Sequence, residues 1–160
     1  MFTPTLIRNT GDLFLFVRIL AFSASVPVLM RLKLVRLDAL LLAWSRPKSG
    51  TLAAAEKIKS YLELAIRVGG PAVRRGCLTR GVTLYHFLRK EAGIEVDLCF
   101  GMRQWNSNFQ GHCWLVRDGK PFWETVDSGP VFAEIYRFPS STSGLRARAV
   151  RVTNRESSLQ

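Results

Sequence analysis

Apolar residues recur every three to four positions through roughly the first ninety residues, and every second position after that. The stretch 13–44 is the most apolar part of the chain. Its first piece, LFLFVRILAFSASVPVLM, has the look of a signal peptide or a short membrane span. Arg18 and Pro27 argue against a span and Asp12 against a signal peptide, so residues 13–44 are read as two packed helices, with secretion or spanning as the alternative. The second piece, Leu29 to Trp44, sets Leu29, Leu32, Leu37, Leu40 and Leu41 against Arg31, Lys33, Arg36 and Asp38. That is an amphipathic helix with a basic side, suited to core packing or to resting on a partner or membrane surface.

Residues 45–50, SRPKSG, read as a linker. Thr51 is placed to cap a third helix, with Leu52, Ala55, Ile58, Leu62, Ala65 and Ile66 along one side and Gly69-Gly70-Pro71 at its end. A fourth helix starts at Gly76, presents Leu78, Val82, Tyr85 and Leu88 with Leu84 beside them, and stops after Arg89-Lys90 and before Gly93. From there Ile94, Val96, Leu98 and Phe100 alternate with Glu95, Asp97 and Cys99, which predicts a half-buried strand with Cys99 turned away from the apolar face. Residues 103–111 carry enough turn formers to be expected as a loop. Residues 112–127 predict a strand, an Asp118-Gly119 turn and a returning strand. The tail from Ser140 has Arg146, Arg148, Arg151 and Arg155 with little periodicity and is expected to be mobile, with a strand over Ala147–Val152 as the alternative. Helices followed by an antiparallel sheet define an α+β fold. The expected organisation is a helical lead-in over 1–50, a core over 51–140 and a basic tail over 141–160.

Composition narrows the classes without choosing one. With 160 residues, 48% hydrophobic and 22% charged, the chain is globular and large enough for a real core. Three cysteines without a C-x-x-C pair supply neither a disulfide framework nor zinc-ligand spacing, and no metal or cofactor is expected. The net charge of +11 points to an acidic partner, whether nucleic acid, anionic membrane or acidic peptide. A nucleic-acid binder would use the arginine clusters with Trp105 and Phe109, but no recognised module for that role is present.

The candidate chemistry begins at Cys77. In the first turn of a helix, unpaired N–H groups and the positive end of the helix dipole favour a thiolate, and Arg74 and Arg75 add positive charge. The alternative is a small buried side chain with no chemistry. His112, at the start of a strand, would supply a base from a second rigid element. His86 is a poorer base because it rides on the same helix as the thiol. Cys113 cannot serve His112, because consecutive strand side chains point to opposite faces. The acid that would orient the imidazole is open between two residues. A regular turn at Asp118-Gly119 pairs Arg117 with Lys120 and His112 with Thr125, and puts Asp127 on the face of His112. A bulge or widened turn near Pro121 would bring Glu124 there instead.

The cysteine helix, the Gly111-His112-Cys113-Trp114 segment and the Arg137-Phe138-Pro139 tail resemble the leader-peptidase proteins of lasso-peptide biosynthesis. These form the microcin-processing branch of the transglutaminase-like superfamily. The resemblance covers about residues 50–140. It implies a papain-like core with a Cys-His-acid triad that cuts the leader from a ribosomally made precursor peptide, without a cofactor and in the cytoplasm. Cys77 matches its nucleophile, His112 its base, and its acid falls nearest Glu124. Cys113 stands where the family usually has Ala, and Arg117 where it has a second acidic residue. The family's leader-recognition module is expected on a separate protein, with an asparagine-synthetase-like cyclase as a further partner. Nucleic acid is not expected as a partner, and the N-terminal helices are candidates for peripheral membrane contact. A noncatalytic scaffold of the same fold is the alternative reading.

Overall fold

Thr51 caps a helix as its position predicts: its hydroxyl accepts the Ala54 N–H at 3.2 Å. A computed structural model describes residues 7–44, 51–73, 76–105, 108–123 and 132–139. The expected linker at 45–50, Arg74, Arg75, both candidate acids Glu124 and Asp127, and the tail from residue 140 with its alternative strand lie outside the described residues. The chain divides into two compact units, Met1–Val96 and Asp97–Gln160.

The first unit is helical: α1 (Thr10–Leu29), α2 (Leu34–Trp44), α3 (Leu52–Val68), a 3-10 turn (Gly70–Ala72) and α4 (Cys77–Glu91). The helix boundary expected at Leu29 falls slightly later. Pro27 sits inside the last turn of α1, where it removes only one backbone donor, and the break comes over residues 30–33. Asn9 caps α1 by accepting the Asp12 N–H at 2.8 Å. The Asp12 carboxylate pairs with Lys57 of α3 and accepts the Arg8 N–H at 3.0 Å, so α1 is anchored at its start. The Lys57 ammonium, and then the Arg8 N–H, hold that carboxyl below its ordinary pKa. Farther along, Arg18 bonds Glu91 at 2.8 Å, and Ser23 and Thr83 hydroxyls meet at 3.3 Å in the buried interior. The apolar positions expected on α3 are buried at Ala55, Ile58, Leu62, Ala65 and Ile66. Leu52 is 62% exposed, because it lies in the first turn ahead of the packed face.

The helix α4 is buried well beyond the one face its spacing suggests. Val82, Tyr85 and Leu88 are buried as expected, and Thr79, Thr83, His86 and Phe87 are buried too. Its end follows the sequence closely: Gly93 adopts φ 58°, and the chain turns so that the Ile94 N–H reaches back to the Leu88 carbonyl at 3.0 Å.

The second unit is a four-stranded antiparallel sheet in the order β3-β2-β1-β4, built from β1 (Asp97–Trp105), β2 (Asn108–Arg117), β3 (Lys120–Phe122) and β4 (Ala133–Phe138). The loop expected at 103–111 is instead the continuation of β1 and β2, paired through Trp105 and Asn108. Strand hydrogen bonds belong to the backbone, so exposed polar residues such as Gln104, Asn108 and Gln110 do not prevent the ladder. The strand also begins at Asp97, later than the alternation from Ile94 implied.

Between β1 and β4 the register shifts by one at Ile135: Phe100 faces Tyr136, whereas Gly101 faces Glu134. This bulge turns Glu134 to the same face as Arg137. The buried Arg137 guanidinium then donates to Glu134 at 2.9 and 2.5 Å and to Asp97 at 3.0 Å, so both β1 and β4 contribute carboxylates to one charge.

Candidate functional site

Cys77 is the first residue of α4, after Gly76, which contributes no side-chain cap. In that first turn the backbone N–H groups have no acceptor within the helix, and the dipole favours negative charge. Cys77 is half-buried, whereas Cys99 and Cys113 are buried. All three are thiols. Cys99 points away from the face of Leu98 and Phe100, as alternation requires, yet it is fully buried, with Trp114, Val116 and Phe132 around it. The sheet is covered on both faces at that level, which alternation along a single strand cannot reveal. Burial, together with the nearby Glu134 carboxylate, pushes the Cys99 thiol up to about 12. A thiol held that way is neither a nucleophile nor a ready target for oxidation.

His86 is unsuited to act as a base. It is buried against Phe22, with ring centroids 4.5 Å apart and planes nearly parallel, and burial followed by the charges of Lys90 and Arg18 lowers it to about 4. Its place is in the core of the helical unit.

His112 belongs to the sheet unit and Cys77 to the helical unit. His112 lies on β2 opposite Gly101 and is half-buried, while Cys113 faces Phe100 on the other side of the sheet, as strand alternation required. Two aromatic rings flank the imidazole: Trp114, which the sequence offered only as part of the Gly111–Trp114 segment, and Phe132, which it did not single out. Trp114 stacks with it at 5.9 Å, and Phe132 lies 5.2 Å from it. The Arg103 guanidinium sits 4.9 Å over the Phe132 ring and donates to Gln110 at 2.9 Å. The signal for Trp114 was available, since it follows His112 by two residues on one strand. Gly101 was also a signal: a glycine inside a strand marks a close approach. A Cβ there would come within 2.8 Å of two Trp114 ring atoms.

The hairpin after His112 is regular as far as it is described. Asp118 and Gly119 take φ 51° and 77°, Arg117 faces Lys120, and Val116 faces Pro121. The bulge considered at Pro121 is therefore absent. Pro121 occupies the non-hydrogen-bonded position of an edge strand, where its missing N–H leaves no gap in the ladder. Regularity ends at Trp123, with φ 60°, one residue past β3. The alternation that assigned Asp127 to the face of His112 does not carry through that residue.

Among the described residues no group of three or more His, Cys, Asp or Glu is arranged to hold a metal ion. No curated protein and no solved structure matches the chain. Residues 19–137 match the model of the transglutaminase-like superfamily, whose fold is often that of a cysteine peptidase, and this match over most of the sequence places the chain in that superfamily.

Proposed function

We propose that the protein is a cysteine peptidase that removes the leader from a ribosomally made precursor peptide during lasso-peptide maturation. The observation that carries this reading is the position of Cys77: the accessible thiol among the three, at the N-terminus of α4, a helix most of whose residues are buried. Membership of the superfamily supports the cysteine-peptidase chemistry. The sequence resemblance supports the leader-peptidase branch, a separate leader-recognition protein and an asparagine-synthetase-like cyclase as partners, and a cytoplasmic setting.

In the proposed reaction His112 takes the proton from Cys77, and the thiolate adds to the scissile carbonyl. The first-turn N–H of Cys77 donates to the developing oxyanion. The imidazolium then protonates the leaving amine as the C–N bond breaks, and water, deprotonated by the same imidazole, hydrolyses the thioester. Glu124 is the proposed orienting acid, with Asp127 as its competitor. The stacked Trp114 and the adjacent Phe132 limit the orientations open to the imidazole.

The test is cleavage of the cognate precursor by three variants. Cys77→Ala is expected to abolish it with an unchanged melting temperature, while Cys99→Ala and Cys113→Ala retain most of it. Full cleavage by Cys77→Ala would end the peptidase reading.

A further inference from the structure

One helix of the first unit is apolar on two sides. The inner side of α1 buries Ile19, Ser23 and Val26 and joins the other helices through Asp12–Lys57, Arg18–Glu91 and Ser23–Thr83. Its outer side presents Leu13, Phe14, Val17 and Val28 at 50%, 65%, 50% and 61% exposure, with exposed Ala21 between them. At helical geometry these five residues fall within about 100° of arc and run for about 22 Å. Singly exposed apolar residues are ordinary, but an unbroken stripe of this kind marks a contact surface.

The charges beside the stripe select its occupant. Residues 7–44 contain the bases Arg8, Arg18, Arg31, Lys33 and Arg36 and the acids Asp12 and Asp38. Asp12 is buried against Lys57, while Arg31 and Lys33, between α1 and α2, and Arg36, in the first turn of α2, are exposed. A second copy of a chain with net charge +11 would meet like charge there. An apolar helix face followed at its C-terminal end by exposed basic residues suits the boundary between phosphate headgroups and acyl chains.

We propose that the outer face of α1 rests on an anionic lipid surface, with Phe14, Val17 and Val28 at the acyl boundary and Arg31, Lys33 and Arg36 at the headgroup phosphates. The helix lies along the surface without crossing it, because crossing would pull Asp12, Arg18 and Ser23 from their partners in α3 and α4. This inference stands apart from the peptidase reading.

The full chain is tested by flotation with phosphatidylglycerol–phosphatidylcholine vesicles against phosphatidylcholine vesicles. Binding is expected to the anionic vesicles, weakening with salt. Phe14→Ser/Val17→Ser should lower it about tenfold or more, and Arg31→Gln or Lys33→Gln about fivefold each. These side chains are exposed, so thermal melts of the variants should match the parent. Phe14→Asp/Val28→Asp provides a second stripe variant with the same expected loss. The proposal is overturned if the parent ignores anionic vesicles, or if the stripe variants bind as well as the parent. It is equally overturned if the stripe instead holds two copies together, seen as a dimer that Phe14→Ser/Val17→Ser converts to a monomer without any vesicle binding.

Discussion

Gly101 is what allows the Trp114 indole to lie beside His112. Gly101 and His112 face each other across β1 and β2, and the Trp114 ring occupies the volume a Cβ at Gly101 would need, 2.8 Å from two of its atoms and 3.0 Å from the Ala133 carbonyl. Neither neighbour is the loose end of a flexible side chain. The ring is buried against Cys99 and Val116, and the carbonyl belongs to β4.

Gly101→Ala is therefore expected to cost about 1–3 kcal/mol of stability, the usual range for overfilling a packed site. It should also change the near-ultraviolet circular dichroism as the indole shifts. Under the proposed function, cleavage falls by more than the stability loss explains, because the His112–Trp114 stack is disturbed. An unchanged melt and spectrum would show that the ring has room to move.

Alkylation separates the three thiols. Iodoacetamide near neutral pH should modify Cys77 first, with Cys99 and Cys113 protected until the chain unfolds, as peptide mass spectrometry would show. If His112 is the partner of Cys77, His112→Ala slows that alkylation as well as abolishing cleavage, since an imidazolium neighbour lowers a thiol pKa. An unchanged rate in His112→Ala would dissolve the pair.

His86 gives the protein an acid sensitivity of defined sign. Its folded-state value of about 4 lies below the ordinary value of 6.5, so between those two values the unfolded chain binds a proton that the folded chain refuses. Stability from this group is fully present above about pH 6.5, falls as pH drops through the window and levels off below about pH 4. The total loss is on the order of 3 kcal/mol. His86→Leu should flatten that part of a urea-denaturation pH profile, although losing the Phe22 stack will lower its overall level. A profile as steep as the parent's would assign the sensitivity to other groups.

The choice of acid is tested by Glu124→Gln against Asp127→Asn, compared for precursor cleavage at matched stability. A break in strand alternation is needed before Glu124 for it to serve His112. The described chain has one at Trp123, φ 60°, and none at Pro121. Glu124→Gln is expected to lose several orders of magnitude in turnover, as removal of an orienting carboxylate does elsewhere, and Asp127→Asn to stay near the parent. The reverse pattern would transfer the role to Asp127.

Features set by a few neighbouring residues were legible in the sequence. The Thr51 cap, the stop at Gly93, the Asp118-Gly119 turn and Cys77 at a helix start are local matters of backbone conformation and capping, and each occurs where its residues predict. The order of helices before an antiparallel sheet followed from the change of period, and the opposed faces of His112 and Cys113 from strand geometry. Tertiary structure decided what depends on distant partners. The exposed stretch 108–111 became strand because β1 supplied a ladder, and β4, at the sheet edge, exists through its pairing with a segment more than thirty residues earlier. The burial of Cys99 required a covered second face, and the burial of Arg137 required carboxylates from Asp97 and Glu134 brought together by a bulge. Alternation along one strand assigns a side chain to a face, but only the segments packed on that face decide whether it meets water, and that decided which of three cysteines kept an accessible thiol.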